Sequence, residues 1–519
     1  MAEFVSHRLI RPGTLQARMY QQQILGRAAA ENLLVVLPTG LGKTPIAVML
    51  AAHVLDRFPE GKILVLAPTK PLTGQHFQSF QKFMNVEESE FQVVTGEMSP
   101  SERTGIYERK RFIFATPQTV RNDIESGKMG LSSFSLLVFD EAHHAIGGYA
   151  YPYIAKKYSE QAPGGRILAL SASPGASIEK INEICKNLGV SAVDVRGERD
   201  SDVSPYVQRK DIERVEVFLP QSFMDVRKLL MDTFERKIAH LRKFGFRKPA
   251  HLVGKRDLLA LQADFIGKAR SGGGASFAAV SIITQCIKLE YALTLLETQG
   301  IGQLTEYWKK MGKEATKADK VLCNDAKVKA AMKLTAELAQ RGSRHPKVSK
   351  LCSIVGSELS EKPASRIIIF ANYRASVREI VDALSRVGGA RPVRFVGQKE
   401  GVTQKDQLKT LRGFRDGEYN VLVATAVGEE GLDIPSANLA IFYEPVPSPL
   451  RSIQRRGRVG RADIGKVVML ITQGTRDEGY YWTSQNREKR MKDILRGMKA
   501  EGRAGESEGD KDRSLGNFM

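Results

Sequence analysis

Short, nearly continuous apolar runs alternate with longer amphipathic stretches in two separate parts of this 519-residue chain. The first part, about 33–174, contains NLLVVL, KILVLAP, FQVVTG, RFIFATP, SLLVFDEA and RILALSAS. The second, about 366–474, contains RIIIFAN, RPVRFVG, YNVLVATA, LAIFYEP and KVVMLITQG. Such runs are typical of parallel strands that helices cover on both faces. The pattern therefore predicts two α/β domains whose parallel sheets carry polar residues at their carboxyl edges.

Between these parts the strand-like runs become rare and long helical patterns replace them, as in PQSFMDVRKLLMDTFERKIAHLRKF and AAVSIITQCIKLEYALTLLETQG. We predict a first α/β domain over 1–205, a mainly helical insertion over 206–345, and a second α/β domain over 346–500. The polar, Gly-rich end of the chain, 501–519, is typical of a disordered tail.

Basic residues exceed acidic ones over the chain as a whole, with 78 Lys and Arg against 58 Asp and Glu and a formal charge of +20. Residues 221–340 alone hold 21 Lys and Arg against 12 Asp and Glu. Such a field favours polyanions, so nucleic acid is the first partner to consider. In the insertion the candidate phosphate contacts are Arg242, Lys243, Arg247 and Lys248, and the alternative is a solvated helix face without a ligand.

Several classes of protein are disfavoured. No run of about 18 apolar residues is present, and the N-terminus lacks the apolar core of a secretory signal, so we expect a cytoplasmic protein without a membrane partner. The four cysteines are isolated and have no His at ligand spacing, which disfavours a zinc or iron–sulfur site. They are Cys185, Cys286, Cys323 and Cys352.

The segment LPTGLGKT follows an apolar strand and begins an amphipathic helix, which is the context of a phosphate-binding loop. Gly40 and Gly42 let backbone N–H groups surround phosphates, Lys43 can reach the β and γ phosphates, and the Thr44 hydroxyl can hold Mg²⁺. The alternative is a Gly-rich turn with an exposed lysine. The predicted ATP-binding residues here are Leu37, Pro38, Thr39, Gly40, Leu41, Gly42, Lys43 and Thr44.

In LLVFDEAHHA an acidic pair, Asp140 and Glu141, follows directly after an apolar strand, and Asp140 lies 97 residues after Lys43. This position suits Asp140 as a Mg²⁺ partner and Glu141 as the base that orients and deprotonates the attacking water. His143 is predicted to lie at the domain surface and pair with the other α/β domain. Taken alone, an acidic pair after a strand is more often a helix N-cap.

The segment SIQRRGRVGRAD places Gln454, Arg455, Arg456, Arg458 and Arg461 within eight positions near the end of the second α/β domain. Phosphoryl transfer gains from cations that arrive only when a cleft closes, so Arg458 and Arg461 are predicted to reach the γ phosphate across the interdomain cleft. The alternative is the solvated start of a basic helix.

Taken in order, these blocks resemble the motifs of superfamily two helicases of the DEAH-box kind. The matching blocks are RMYQ, PTGLGKT, APTKPL, TGE, ATPQT, DEAH, SAS, IIIFANYR, FVGQ, ATAVGEEGLDIP and QRRGRVGR. Within that superfamily, PTKPLTGQH, GGYAY, SPYV, LLETQG, FYEPVPSPLRSIQRRGR and GTRDEGYYW closely resemble the archaeal Hef helicases, relatives of the Fanconi anaemia M-type translocases. The resemblance implies that both α/β domains are RecA-like.

The resemblance also implies roles for individual residues. Gln21 would read the adenine, Asp433 would contact the nucleotide, and His143, Ser171, Ser173 and Gln454 would couple the ATP and nucleic-acid sites. The implied strand contacts are Lys70, Gln75, Thr95, Gly96, Thr116, Pro117, Asn372, Gln398 and Thr425. Each of these small or polar residues could alone be a turn or cap residue; the ordered set favours sequence-independent phosphate contacts.

The chain departs from the family pattern at two points. Ser171 stands where the coupling motif commonly has Thr, a change that keeps the hydroxyl. Full-length Hef carries a nuclease with an ERK-x-x-x-D motif, whereas the ERK at Glu108 to Lys110 has Phe114 at the Asp position and the ERK at Glu235 to Lys237 has Leu241 there. We therefore expect no nuclease in this sequence, which is either a helicase fragment or a protein of a lineage without the nuclease half.

The resulting expectation is an archaeal, ATP- and Mg²⁺-dependent DNA helicase or translocase that acts on forked or branched DNA in replication-fork repair and tracks along a single strand. One alternative is a double-stranded RNA-stimulated ATPase of the innate-sensor and Dicer kind, and another is a basic nucleic-acid scaffold. The tail residues Leu515, Phe518 and Met519 have the spacing of a sliding-clamp-binding peptide, with Asp512 in place of the usual Gln, a pattern that chance also produces easily.

Overall fold

The computed structural model describes most of the chain between residues 3 and 506. The exceptions are positions 176 and 199 and the segments 208–211, 271–273, 314–315, 398–401, 426–436 and 446–465. The predicted residues Gln398, Asp433, Gln454, Arg458 and Arg461, and the tail residues Asp512, Leu515, Phe518 and Met519, lie outside the described residues.

The first domain is built on a seven-stranded, fully parallel sheet in the order β3-β4-β2-β5-β6-β1-β7. Its strands are β1 Leu33–Val36, β2 Lys62–Leu66, β3 Phe91–Val94, β4 Phe112–Ala115, β5 Phe134–Phe139, β6 Arg166–Ser171 and β7 Ala192–Val195. Its helices are α1 Met19–Ala30, α2 Lys43–Arg57, α3 Lys70–Phe83, α4 Pro100–Arg109, α5 Pro117–Glu125, α6 Ala150–Gln161 and α7 Ile178–Leu188. The central strands β2, β5 and β6 are buried at all but one residue each, because apolar clusters cover both faces of the sheet.

The insertion is a helical bundle with its own apolar core. Its helices are α8 Gln221–Leu241, α9 Lys255–Arg270, α10 Gly274–Thr298, α11 Ile301–Lys313, α12 Lys317–Asn324 and α13 Ala326–Gln340. Within α10, the stretch Ser276–Thr298 reaches a mean hydropathy of 1.4, so length and composition alone would let it cross a membrane. Because 61% of that apolar window is buried, it serves here as the central helix of the bundle.

The second domain is built on a six-stranded parallel sheet in the order β10-β11-β9-β12-β13-β8. Its strands are β8 Ile212–Val217, β9 Ile367–Phe370, β10 Pro392–Phe395, β11 Val421–Ala424, β12 Leu439–Phe442 and β13 Lys466–Thr472. Its helices are α14 Pro346–Glu361, α15 Arg374–Leu384, α16 Gln404–Asp416 and α17 Arg476–Glu506. Far along α17, Ile494 packs against the apolar core of the first domain.

The predicted fold class, two parallel α/β domains with a helical insertion, is confirmed, but two predicted boundaries need correction. The range 206–345 contains β8, which pairs with β13 at the edge of the second sheet. Val215 and Val217 are buried while Glu216 between them is exposed, the alternation of an edge strand. The predicted disordered tail, 501–519, begins too early, because α17 continues to Glu506.

The strand order divides the carboxyl edge of the first sheet into two halves. The predicted ATP residues follow β1, β5 and β6, which are neighbours, and the predicted strand contacts follow β2, β3 and β4, which are also neighbours. Strands β2 and β5 pair at the boundary between the halves. The two sets of residues therefore lie side by side on one edge.

Candidate nucleotide site and strand interface

The loop between β1 and α2 is shaped by two glycines. Gly40 and Gly42 have φ angles of +88° and +83°, a region that favours glycine, and Gly42 is the N-cap of α2. A Cβ atom on Gly42 would lie 2.3 Å from Nε2 of Gln21. Lys43 donates from Nζ to the Leu37 carbonyl at 3.3 Å, so its side chain folds back over the loop. The loop thus offers backbone N–H groups, a helix N-terminus and an ammonium group to an anion.

The loop is held from behind by α1. Gln21 is 2% exposed, and its Nε2 donates to the carbonyls of Leu41 at 3.1 Å and Gly42 at 3.3 Å. The Tyr20 hydroxyl also donates to the Leu41 carbonyl. The structure therefore places Gln21 against the phosphate loop, while its contact with adenine stays a prediction.

Asp140 lies at the end of β5 and is 6% exposed. Its Oδ2 is 2.8 Å from Nε2 of His76 on α3, and its carbonyl accepts a hydrogen bond from the Tyr151 hydroxyl at 2.6 Å. Burial by itself raises the pKa of this carboxyl, but attraction by His76, the hydrogen bond with it and attraction by Lys43 hold the pKa of Asp140 below its usual range. The carboxylate is thus ionised at neutral pH.

Glu141 has a strained backbone. Its φ of 48° and ψ of 51° make it the one non-glycine residue with positive φ in the described part of the chain. Its buried Oε2 lacks a well-oriented hydrogen bond, although Nδ1 of His143 lies 3.3 Å away. Burial raises its pKa, but interactions with His143 and Lys43 lower it below the usual value. An ionised carboxylate with an unused acceptor suits a base that takes a proton from water.

The SAS segment lies at the end of β6, which pairs with β1, the strand before the phosphate loop. Ser171 accepts a hydrogen bond on its carbonyl from the Leu37 N–H at 3.0 Å, and its hydroxyl accepts one from the Ser173 N–H at 3.1 Å. The same hydroxyl lies 3.5 Å from Nδ1 of His143. The structure therefore brings Ser171, Ser173 and His143 together beside the loop, and their coupling role stays a prediction.

The residues at this edge fit Mg²⁺ held together with nucleotide phosphates. Asp140 provides an ionised carboxylate, and the Thr44 hydroxyl has no hydrogen-bond partner among the described residues. That part of the chain contains no group of three or more His, Cys, Asp or Glu placed to hold a metal. One carboxylate and one hydroxyl suffice to hold Mg²⁺ where phosphate and water oxygens complete its coordination.

The predicted strand contacts of the first domain all follow the outer strands. Lys70 begins α3 and pairs with Glu97 at 2.5 Å, while Thr95 and Gly96 form the turn after β3. Thr116 is the N-cap of α5, and its Oγ1 lies 2.9 Å from that of Thr119. Gln75 lies within α3, and Pro117 is the first residue of α5. The structure thus gathers these residues on one half of the edge.

Two predicted strand contacts of the second domain are described, and both also follow strands. Asn372 comes after β9 and donates its backbone N–H to the carboxylate of Glu444 at 2.6 Å. Thr425 comes directly after β11, is 6% exposed, and donates its N–H to the Phe395 carbonyl at 3.1 Å. Their positions at neighbouring strand ends match those of the contacts in the first domain.

The predicted basic cluster of the insertion follows α8. Arg242 and Lys243 lie in a short 3₁₀ helix, and these two and Arg247 are exposed without a carboxylate partner among the described residues. Lys248 is half-buried and pairs with Asp257 at 2.7 Å. Three of the four side chains are therefore free to contact phosphate.

Sequence reasoning missed a basic pocket of about 400 Å³ between α8 and α12. It is lined by Lys237, Lys317, Lys320, Val321, Asn324 and Asp325. Asp325, whose carboxylate lines the pocket, is already paired with Arg236. The three lysines therefore have no ion-pair partner among the described residues. We name Lys237, Lys317 and Lys320 together the lysine pocket. Only the approach of α12 to the end of α8 reveals it.

His76 also had no predicted role, although it lies in PTKPLTGQH, one of the blocks that resemble the Hef helicases. Its position directly after the predicted contact Gln75 was a weak signal. The missing information was the tertiary contact that brings the imidazole on α3 to Asp140, the residue that follows β5.

Comparisons with known proteins agree with this arrangement. The family model described as DEAD/DEAH box helicase matches 18–181, the helicase conserved C-terminal domain matches 346–463, and the helical bundle of putative ATP-dependent RNA helicases matches 222–342. The helicase domain of Pyrococcus furiosus Hef is 43% identical in sequence, with a TM-score of 0.73. The match covers 90% of this chain and 98% of that one.

Curated relatives match nearly all of this chain. A putative ATP-dependent RNA helicase of Methanocaldococcus jannaschii is 39% identical over 95% of this chain and 63% of its own length. The DEAD-box ATP-dependent RNA helicase FANCM of Arabidopsis thaliana is 36% identical over 90% of this chain and 36% of its own length. The ATP-dependent DNA helicase mph1 of Aspergillus fumigatus is 34% identical over 93% of this chain and 47% of its own length. The chain thus spans between about a third and just under two thirds of the length of these relatives.

The two parallel-sheet domains, the phosphate loop and the acidic pair define a helicase of superfamily two. The helical insertion and the likeness to the helicase domain of Pyrococcus furiosus Hef indicate one branch of that superfamily. The chain belongs to the Hef and FANCM family of helicases.

Proposed function

We propose that this protein is an ATP-dependent DNA helicase or translocase that acts on forked or branched DNA during replication-fork repair. The observation that carries the proposal is the division of one sheet edge into an ATP half and a strand half, with a basic helical bundle attached to the second domain. The names of the fungal relatives, ATP-dependent DNA helicases, and the likeness to the Hef helicase domain support DNA as the substrate.

The bundle is fixed to the second domain by a buried ionic network. Glu297 on α10 is fully buried and accepts from Nε of Arg227 at 2.6 Å and from Nη1 of Arg476 at 3.0 Å. Arg227 also donates to the carbonyl of Gly474, after β13. Breaking a buried pair of this kind is costly, so a phosphate held by the bundle would move with the second domain when the cleft closes.

In the proposed ATP site, Lys43 and the N-terminus of α2 bind the phosphates, and Glu141 orients and deprotonates the attacking water. Thr44 and Asp140 would hold Mg²⁺, which when bound neutralises charge on the phosphates. Arg458 and Arg461 would reach the γ phosphate from the second domain, Asp433 would contact the nucleotide, and Gln454 would couple the two sites.

Forked DNA with a single tracking strand is the proposed partner, and the protein is proposed to act in the cytoplasm. A sliding clamp that binds the tail around Phe518 is a further proposed partner, which titration of the tail peptide against the cognate clamp would test. Failure to bind would remove the clamp from the proposal without affecting the motor.

The decisive experiment compares ATP hydrolysis in the presence of single-stranded DNA, forked DNA, duplex DNA and duplex RNA. We expect forked DNA to stimulate hydrolysis most and to be unwound, and Glu141→Gln to abolish both effects. Stimulation by duplex RNA alone would favour the double-stranded RNA-stimulated ATPase instead, a relevant comparison because two relatives are named RNA helicases. No stimulation by any nucleic acid would contradict both.

A further inference from the structure

One side chain bridges the boundary between the ATP half and the strand half of the first sheet. His76 lies on α3, the helix that begins at Lys70 and also contains Gln75. Its Nε2 is 2.8 Å from Oδ2 of Asp140 at the end of β5. His76 is 5% exposed and Asp140 is 6% exposed, so water screens this contact little.

The contact controls the carboxylate rather than the backbone of Asp140. The backbone is held separately, by a hydrogen bond from its N–H to the Leu66 carbonyl at 2.9 Å and by the Tyr151 hydroxyl on its own carbonyl. Among the described residues, His76 is the one side chain that hydrogen-bonds the carboxylate. A small displacement of α3 would therefore reorient the carboxylate while the strand stays in place.

His76 in turn has no second polar contact within the part of the chain that the structure describes. Its Nδ1 is buried and has no hydrogen-bond partner among the described residues. A buried ring nitrogen without a partner costs free energy, so the imidazole is not placed here to satisfy a polar network in the core. Its described polar contact is the one that joins α3 to Asp140.

We propose that His76 is a positioning residue through which contact of α3 with the nucleic-acid strand changes the affinity of the ATP site for nucleotide and metal. The inference rests on the proposed function, because it takes Lys70 and Gln75 as strand contacts and Asp140 as a metal ligand. Linkage makes the effect reciprocal: nucleotide with metal must change strand affinity by the same factor.

Two conservative variants distinguish the roles of the two ring nitrogens of His76. The amide nitrogen of His76→Gln can reach the position of Nε2, whereas that of His76→Asn reaches only the position of Nδ1. Thr73→Val is the matched control, because Thr73 is a buried neighbour on the same helix whose hydroxyl bonds only its own helix, at the Thr69 carbonyl. Thermal melting of every variant checks folding, and His76→Met replaces His76→Asn if the latter does not fold.

The first readout is the ratio of affinities for fluorescent ADP with Mg²⁺, measured with and without saturating single-stranded DNA. The wild-type ratio should lie in the range of about 5- to 150-fold typical of coupled sites. His76→Gln and Thr73→Val should keep this ratio, and His76→Asn should bring it within about twofold of one. A purely structural role would shift both affinities together and leave their ratio unchanged.

The second readout is the binding of Mn²⁺ to the ADP complex, followed by electron paramagnetic resonance. Loss of an outer partner of a metal ligand typically weakens metal binding by about 10- to 100-fold, and we expect this for His76→Asn but not for His76→Gln. A His76→Asn protein that matches wild type in both readouts, or a His76→Gln protein that fails as His76→Asn does, overturns the inference.

Failure of this inference is distinguishable from failure of the proposed function. Wild-type hydrolysis that DNA stimulates, combined with an unchanged ratio in His76→Asn, removes only the link through His76. Wild-type hydrolysis that no nucleic acid stimulates removes the motor. If wild type binds ADP with Mg²⁺ equally well with and without single-stranded DNA, the link through His76 is overturned even where DNA stimulates hydrolysis.

Discussion

His345 donates a hydrogen bond from Nε2 to the backbone carbonyl of Glu297 at 3.0 Å. Its Nδ1 accepts from the Lys347 N–H at 3.2 Å, which makes His345 the N-cap of α14. A ring nitrogen that accepts carries no proton, so these partners define a neutral imidazole. The contact joins α10 of the insertion to the first helix of the second motor domain, and protonation would remove the cap.

Stability should therefore fall in mild acid. Burial, with repulsion from Lys347, lowers the pKa of His345 to about 3 from 6.5. Below pH 6.5 the unfolded chain binds a proton that the folded protein excludes, so the stability contribution is present above pH 6.5 and is lost as pH falls toward 3. Between pH 7 and pH 5 the loss is about 2 kcal/mol.

Urea unfolding at pH 7 and pH 5 measures this loss. His345→Asn keeps a capping side chain but cannot titrate, so the pH dependence of its unfolding free energy should be smaller by the stated amount. An identical pH dependence in wild type and variant would show that other groups cause the acid sensitivity.

The ATP site predicts two different phenotypes. Lys43→Ala should weaken nucleotide binding and abolish unwinding, because it removes the cation that folds over the phosphate loop. Glu141→Gln should keep ATP bound and block hydrolysis, because it retains the side-chain shape but removes the base. Equilibrium binding of ATP and steady-state turnover check both variants. Normal turnover of Glu141→Gln on its best nucleic-acid activator would refute the assignment of the base.

The predicted arginine fingers give a kinetic test. Arg458→Ala or Arg461→Ala should lower kcat by about 10³ or more with little loss of ATP affinity in the open state, because these cations act when the cleft is closed. Turnover at saturating ATP and nucleotide binding without nucleic acid provide the two measurements. An effect confined to KM would instead identify ground-state binding residues.

The basic cluster after α8 should govern affinity for forked DNA. Replacing Arg242, Lys243, Arg247 and Lys248 with Ala should weaken fork binding much more than single-strand binding. The slope of log affinity against log salt should fall by about three, rather than four, because Lys248 is already paired with Asp257. Fluorescence anisotropy across a salt series checks this. Equal losses for both DNA forms would place fork recognition outside this cluster.

The lysine pocket should contribute a separate phosphate contact. Replacing Lys237, Lys317 and Lys320 with Ala should reduce the same salt slope by about two to three, because the carboxylate that lines the pocket, that of Asp325, is already paired with Arg236. A matched variant removes three exposed lysines that do not line the pocket, Lys228, Lys310 and Lys333. If both triple variants lose affinity equally, overall charge rather than the pocket is responsible.

Much of the fold was accessible from local sequence patterns. The apolar runs predicted six of the seven strands in the first sheet and five of the six in the second. The missed strands, β7 and β8, both lie at sheet edges. An edge strand such as IERVEV buries only alternate residues, so it lacks the continuous apolar run that identifies a central parallel strand.

The phosphate loop and the acidic pair can be identified from local sequence alone, because each is a short motif that follows an apolar strand. Three other features follow from tertiary packing: β8 pairs with β13 about 250 residues later, His76 contacts Asp140, and α12 brings its lysines beside Lys237. Each of these results depends on packing between residues far apart in the chain. Local periodicity carries information about each partner's own helix or strand, but not about which partner it meets.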